Sequence, residues 1–379
     1  MNFSRSSSNH FPTRRGLRDV TNASREDSAP GLVLKAGTAD NSSRSSALTA
    51  RPDEHIKVTR NNATRTLRSS NLNAQPQESN RSNDTENNTN LLSNIESTQN
   101  YPASYQYSGH CDNIDERDQD DPLCATEYVE DMYEYFRLKE GMTSVQPNYM
   151  ESQRHINERM RAILVDWLVE VHLKFKLVPE TLYLCINLID RFLKDREVSR
   201  QKLQLVGVTC LLIASKYEEI YPPELRDLVY ICDSAYTKTE ILNMEETVLK
   251  ALKYQITIPS AHAFLVRYLK AAHADKKMVQ ISCYILDGTL QSYNLLRYLP
   301  SELAAASVLL ARRIAGRNSW SPTLLKYAEY REEDIAPIAR AILAEKSAIN
   351  AELKAVTKKY SLNRYGAVAN MSMVSLGDL

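Results

Sequence analysis

Met160, Ile163, Leu164 and Trp167 recur at i, i+3, i+4 and i+7, and Asp166 and Glu170 lie beside them four residues apart. On an α-helix that spacing gives one apolar stripe with a large aromatic, flanked by two carboxylates. The chemistry this suits is recognition rather than bond making: a cleft for a peptide that carries a cation and a leucine. Taken alone, the same stripe is more simply the inward side of a packed helix. The longer stretch Met160–Val171 (MRAILVDWLVEV) also puts Ile163, Leu164, Val165, Trp167, Leu168, Val169 and Val171 on every side of the helix. A helix apolar all round has to be wrapped by others, at the centre of a helical domain.

Other reactive combinations are weak. The six cysteines are scattered without a CxxC pair, and Cys185, Cys210, Cys232 and Cys283 lie in helical patterns among apolar neighbours, as reduced thiols serving as small hydrophobes do. His110, Cys111 and Cys124 are too few to hold zinc, so no metal is expected. A phosphate-cradling GxxxxGK loop, the HRD and DFG elements of a kinase, HExxH and a nucleophile elbow are all missing, so the chain reads as a non-enzyme that needs no cofactor.

The elements that must position the stripe occupy the later part of 379 residues. Residues 1–100 are crowded with Ser, Asn, Thr and Arg and poor in branched apolar side chains, a composition that predicts disorder. The net charge of zero hides an Arg excess early in the chain and an acidic run at 112–121. No apolar run approaches the length of a membrane span and no signal peptide opens the chain, so a soluble intracellular protein is expected. Within the tail, Arg14, Leu17 and Asn22 fit RxxLxxxxN, an extended segment that a receptor groove with an acidic spot and a pocket can read. Lys35 and Lys57 offer the nearest amines. The tail has no Ser-Pro or Thr-Pro and no dense lysine cluster, so it gives no support to proline-directed phosphorylation or nuclear import.

From Glu127 to Lys139 a short amphipathic helix presents Tyr128, Met132, Tyr135 and Phe136 on one face. Helices are expected at about 154–176, 179–194 and 200–216, then a short one after Pro222-Pro223, then one from the Thr237–Glu240 capping box to about 252. Past Pro259 the pattern repeats: about 260–272, 276–292 and 300–315, a short helix from Ser321-Pro322, and a long one at about 331–357. Gly207 allows close approach of a neighbour, and Gly316 ends its helix. Pattern alone therefore gives an all-α chain of two five-helix units in tandem behind a leading helix.

MRAILVDWLVEV, LIDRF (188–192), LQLVG (203–207), ASKYEEIYPPE (214–224), AYTKTEIL (235–242) and NMEETVLKAL (243–252) together resemble a mitotic cyclin, over roughly 125–360. VHLKFKLVPETLYL (171–184) and KYEE tilt the resemblance to the B-type over the A-type. It implies two cyclin boxes, with boundaries at 1–124 (regulatory tail), 125–258 (first box with its leading helix) and 259–379 (second box). It further implies a regulatory subunit that binds and activates a cyclin-dependent serine/threonine kinase, controls mitotic progression, and resides in nucleus and cytoplasm. A rigid helical partner can select the active arrangement of such a kinase.

By this resemblance Lys216 and Glu245 are the charged pair gripping the kinase's regulatory helix, with Tyr217, Met132 and Tyr135 as further kinase contacts. Met160, Ile163, Leu164, Trp167, Glu170 and Gln204 are a partly exposed patch docking RxL-type segments of substrates and inhibitors. Arg161 and Asp190 are a buried ion pair of structural role. Arg14, Leu17 and Asn22 are a destruction box read by a ubiquitin ligase of the anaphase-promoting type. A nucleic-acid module built from two cyclin-like repeats would carry a basic face and a zinc ribbon; here Lys and Arg are interleaved with acids and no ribbon exists. A scaffold without a kinase differs only in failing to activate one.

Overall fold

The computed structural model describes residues 110–317, 320–348 and 352–371, and no strand occurs among them. A leading helix, α1 (Val129–Thr143), precedes the first box: α2 (Glu158–Phe175), α3 (Pro179–Asp195), α4 (Leu203–Glu218), α5 (Leu225–Ile231) and α6 (Lys238–Ala251). The second box follows as α7 (Ala261–Ala271), α8 (Lys276–Thr289), α9 (Pro300–Ile314), α10 (Pro322–Ala328) and α11 (Glu332–Ala348), and a short α12 (Ala355–Tyr360) lies beyond it.

Local chemistry sets the helix ends. Pro179, Pro300 and Pro322 occupy first turns, where a missing N–H costs nothing. Thr237 Oγ1 accepts from Glu240 N while Glu240 Oε2 accepts from Thr237 N, a reciprocal capping box that starts α6. Gly316 takes φ +71° just past α9, the left-handed turn that closes a helix without a Cβ penalty.

Each box is wrapped around its third helix. Every residue of α4 from Leu203 to Ser215 is buried, against α3, α6 and α2. The corresponding α9 is buried against α7, α8 and α11. The all-round apolarity of α2 has a different cause from simple centrality, because the helix serves two cores. Leu164, Trp167, Leu168 and Val171 enter the first, whereas Val165 and Val169 enter the second. Gly207 brings α4 onto α2: a Cβ there would sit 2.7 Å from a Leu164 methyl.

Three expectations need correcting. The closing helix does not run from 331 to 357; α11 ends at Ala348 and α12 is separate, because the Ala355 N–H donates to the Asp166 carboxylate at 2.8 Å. The tail expected through 124 gives way to packed chain by 112. There Ile114 is buried, Asp115 holds Arg267 through two bonds of 2.6 and 2.7 Å, and Lys270 bridges Asp115 and Asp118. Part of the acidic run is thus the counter-charge of the second box. The leading helix runs 129–143 and is anchored mainly on the second box, with Asn187 of α3 donating to Thr143 O at its end. Tyr133 donates to Ala263 O, Arg137 to Ala328 O at 2.6 Å, and the buried Glu140 accepts from Ser301 N and Oγ. Burial raises the Glu140 carboxyl above its ordinary range, against the pull of the Ser301 donors.

Candidate functional site: a charged pair and an adjoining groove

Two surfaces collect the residues whose spacing suggested recognition. The first lies at the end of α4. Lys216 Nζ donates to Glu245 Oε1 of α6 at 2.6 Å, with side chains 49% and 13% exposed. The pair is open to a partner on the lysine side and seated on the glutamate side. Tyr217 stands next to it, half exposed, its hydroxyl 2.7 Å from Thr257 Oγ1. The chain then turns outward with Ile220 at 87% and Tyr221 at 90% exposure, two large apolar side chains inside the ASKYEEIYPPE stretch that no periodicity singles out. The turn is fixed from behind, since Glu219 Oε1 accepts from Val178 N and Thr181 Oγ1 and so caps α3.

Met132 and Tyr135 are exposed on α1. The face predicted from Tyr128, Met132, Tyr135 and Phe136 splits, for Phe136 turns inward against Phe264 while the other three stay outside. Lys139 Nζ lies 5.6 Å from the Tyr135 ring centre. These two residues reach the surface on a different element from Lys216, held to the second box.

The second surface runs along α2, capped by Asn157, whose side chain accepts from Met160 N. Met160, Ile163 and Glu170 are partly exposed, whereas Leu164, Trp167 and Gln204 are buried, which corrects the expectation that the whole patch is partly open. Leu164 is consumed by contact with Gly207 and contributes nothing to a surface. Two polar atoms are nevertheless left over. Trp167 Nε1 and Glu170 Oε2 are buried with no hydrogen-bond partner, a condition native proteins seldom tolerate without use.

The two carboxylates beside the stripe have separate roles. Asp166 Oδ1 accepts from Gln291 Nε2 at 2.7 Å and Ala355 N at 2.8 Å, so it fastens the C-terminal arm and does not face a ligand. Burial pushes its carboxyl up to about 6, against the pull of the Ala355 and Lys354 backbone N–H donors. Glu170 Oε1 accepts from Lys358 Nζ at 2.8 Å.

Behind the groove, Arg161 and Asp190 form a bidentate pair of 2.6 and 2.7 Å with side chains only 1% and 3% exposed. Arg161 Nη1 continues to Leu290 O of the second box, and Tyr149 Oη donates to Asp190 Oδ1 at 2.7 Å. A second junction centres on buried Asp287, which accepts from Lys359 Nζ, Tyr360 Oη and Tyr183 Oη at 2.7, 2.9 and 2.8 Å. Burial alone would raise that carboxyl; the charge of Lys359 and the hydrogen bonds from Lys359, Tyr183 and Tyr360 outweigh it and hold Asp287 below its ordinary value.

Arg14, Leu17 and Asn22 fall outside the described residues. No group of three or more His, Cys, Asp or Glu side chains arranged for a metal occurs among the described residues, and no described helix is long and apolar enough to cross a membrane.

Two consecutive five-helix boxes with shared architecture are the cyclin fold. Residues 131–257 match the family described as "Cyclin, N-terminal domain" and residues 259–374 "Cyclin, C-terminal domain", and the chain belongs to the cyclin family. Within it the similarity is to B-type members. The chain is 46% identical over 258 residues to Cyclin-B2-1 of Oryza sativa subsp. japonica and 42% identical over 261 residues to the G2/mitotic-specific cyclin-B of Spisula solidissima. These matches cover 68% and 69% of this chain and 61% of each relative, so the chain matches about three-fifths of their length. A viral cyclin from herpesvirus saimiri shares the fold, with a TM-score of 0.51 at 21% identity over 58% of this chain and 96% of that one.

Proposed function

We propose that this chain is the regulatory subunit of a cyclin-dependent serine/threonine kinase and acts in mitosis. The observation that carries the reading is the Lys216–Glu245 pair at the edge of an exposed apolar surface formed by Tyr217, Ile220 and Tyr221. A charged pair framed by exposed apolar side chains is what a partner helix with its own charges and apolar stripe can seat against. The rigidity behind it, from the Glu219 cap and the buried α4, suits a subunit that selects one arrangement of a mobile kinase. Met132 and Tyr135 extend the contact from α1. Resemblance to B-type cyclins supports the mitotic assignment.

The α2 groove serves, on this reading, as the docking site for RxL-type segments of substrates and inhibitors. Met160 and Ile163 receive the leucine, Trp167 Nε1 donates to the peptide backbone, and Glu170 faces the cation, with Gln204 as the floor and Leu164 in the core beneath it. Arg14, Leu17 and Asn22 are the destruction box that hands the chain to a ubiquitin ligase of the anaphase-promoting type. The chain resides in nucleus and cytoplasm, needs no cofactor, and binds neither nucleic acid nor membrane.

The test is binding of a monomeric cyclin-dependent kinase to the full chain and to the double reversal Lys216→Glu, Glu245→Lys. Because the two side chains pair with each other, the reversal preserves their mutual attraction and the fold while inverting the surface pattern. Binding by the native chain and its loss in the reversal supports the reading; equal binding removes these residues from the interface. A native chain that binds none of the cyclin-dependent kinases removes the function itself.

A further inference from the structure

The C-terminal arm brings a cation to the one carboxylate that docking requires. Lys358 Nζ lies 2.8 Å from Glu170 Oε1, while Glu170 Oε2 is buried without a partner. The Glu170 side chain is 15% exposed and that of Lys358 is 65% exposed, so the carboxylate is set into the body and the ammonium stands at the rim. The backbone beneath Lys358 is held on both sides, by Ala355 N on Asp166 and by Lys359 and Tyr360 on Asp287. The arm therefore presents the lysine from a fixed base, leaving only its stem to swing. One helical turn before Glu170 on α2, the Trp167 indole N–H is buried and unpartnered. The groove thus holds one donor with nothing to give to and one anionic site already half occupied by the chain itself.

We propose that Lys358 is a built-in competitor at the docking groove, occupying the carboxylate that reads the cation of an RxL-type segment and so lowering the affinity for every segment that needs that carboxylate. This inference rests on the docking reading above. A lysine in the incoming segment brings a point charge equivalent to the one it must displace, whereas an arginine fork can engage Glu170 through both oxygens. Arginine's advantage lies in its own contact with Glu170; because either cation must displace Lys358 before it binds, the competitor weakens both by the same factor. The hydrogen bond from Lys358 to Glu170 also raises the pKa of this amine, which keeps the competitor charged.

Fluorescence anisotropy with labelled peptides tests this on the full chain. Three peptides are used: one with Arg-x-Leu, one with Lys in place of the Arg, and one with Ala there. Lys358→Met is expected to tighten the Arg peptide about 2- to 5-fold, the range expected for a partly exposed ion pair. It should tighten the Lys peptide by the same factor and leave the Ala peptide unchanged, and each gain should shrink as salt is raised. Lys358→Arg, which keeps the charge and adds a fork that can hold both Glu170 oxygens, should bind the Arg peptide no more tightly than the native chain. Native and Lys358→Met chains that bind the Arg peptide equally, while Trp167→Ala binds it more weakly, would overturn the competitor role and leave the docking reading intact. An equal gain for the Ala peptide would also overturn it. Peptides bound by neither chain would remove docking and competitor together.

Discussion

Replacing Asp190 by Asn leaves the Arg161 guanidinium at 1% exposure without its counter-charge. The native carboxylate accepts three hydrogen bonds, from Arg161 Nε, Arg161 Nη2 and Tyr149 Oη, at 2.6, 2.7 and 2.7 Å. An amide keeps one acceptor oxygen, and its NH2 is turned against donors. The remaining partner of Arg161 is the Leu290 carbonyl, which carries no charge to balance it. Breaking one side of a buried pair costs about 3–5 kcal/mol. For a body of this size the melting temperature should fall by about 2–4 °C per kcal/mol, a drop on the order of 10 °C. Urea unfolding followed by circular dichroism measures the loss, provided the slope of free energy on urea is unchanged. Replacing both partners, Arg161→Met with Asp190→Leu, should recover most of it, because the stranded charge is then gone. A loss in Asp190→Asn of less than about 1 kcal/mol, the size seen for exposed pairs, would refute the reasoning.

Asp166 should give a pH signature of the opposite sign to an ordinary paired carboxylate. Its folded pKa of about 6 lies above the usual 3.8, so between those values the folded chain binds more protons than the unfolded one and stability declines as pH rises. The cost is fully present above about pH 6 and vanishes below about pH 4. A shift of two units corresponds to about 2–3 kcal/mol, so Asp166→Asn should be more stable relative to native at pH 7 than at pH 4. A stability difference independent of pH would show that the carboxyl is not raised. Trp167→Ala should slow phosphorylation of RxL-bearing substrates about tenfold or more, the effect of losing an aromatic anchor, while short peptides without that segment are phosphorylated as before; equal loss for both would point to a folding defect. Arg14→Ala with Leu17→Ala should leave kinase activation intact and prolong the protein's life after metaphase, and unchanged decay would sink the tail assignment.

Much of the fold is legible because its signals are local. Pro179, Thr237 with Glu240, Ser321 with Pro322, and Gly316 mark helix ends through groups within four residues, and the tandem repeat follows from counting them. The burial of α2 is equally plain, but not that its two sides enter two cores, since that depends on where the second box sits. What the sequence hides are polar contacts between distant segments. Asp287 meets Tyr183 and Lys359 across 104 and 72 residues, and no periodicity announces such a triad. The run KAVTKKY after α11 continues a helical pattern, so periodicity hides both the break that frees the C-terminal arm and the placing of Lys358. Spacing alone puts Asp166 beside the apolar stripe, but spacing fixes the face of a helix and not what lies opposite. Similarly, Tyr133, Arg137 and Glu140 anchor α1 through hydrogen bonds that an apolar-face argument passes over.

The central claim is kinase activation through the Lys216–Glu245 surface, and the most direct measurement is histone phosphorylation by a purified monomeric cyclin-dependent kinase mixed with the full chain. The native chain should raise the activity far above that of the kinase alone. The Lys216→Glu, Glu245→Lys reversal, with native helical content, should leave it near the unassisted level. Activation by the reversal equal to that by the native chain would contradict the account.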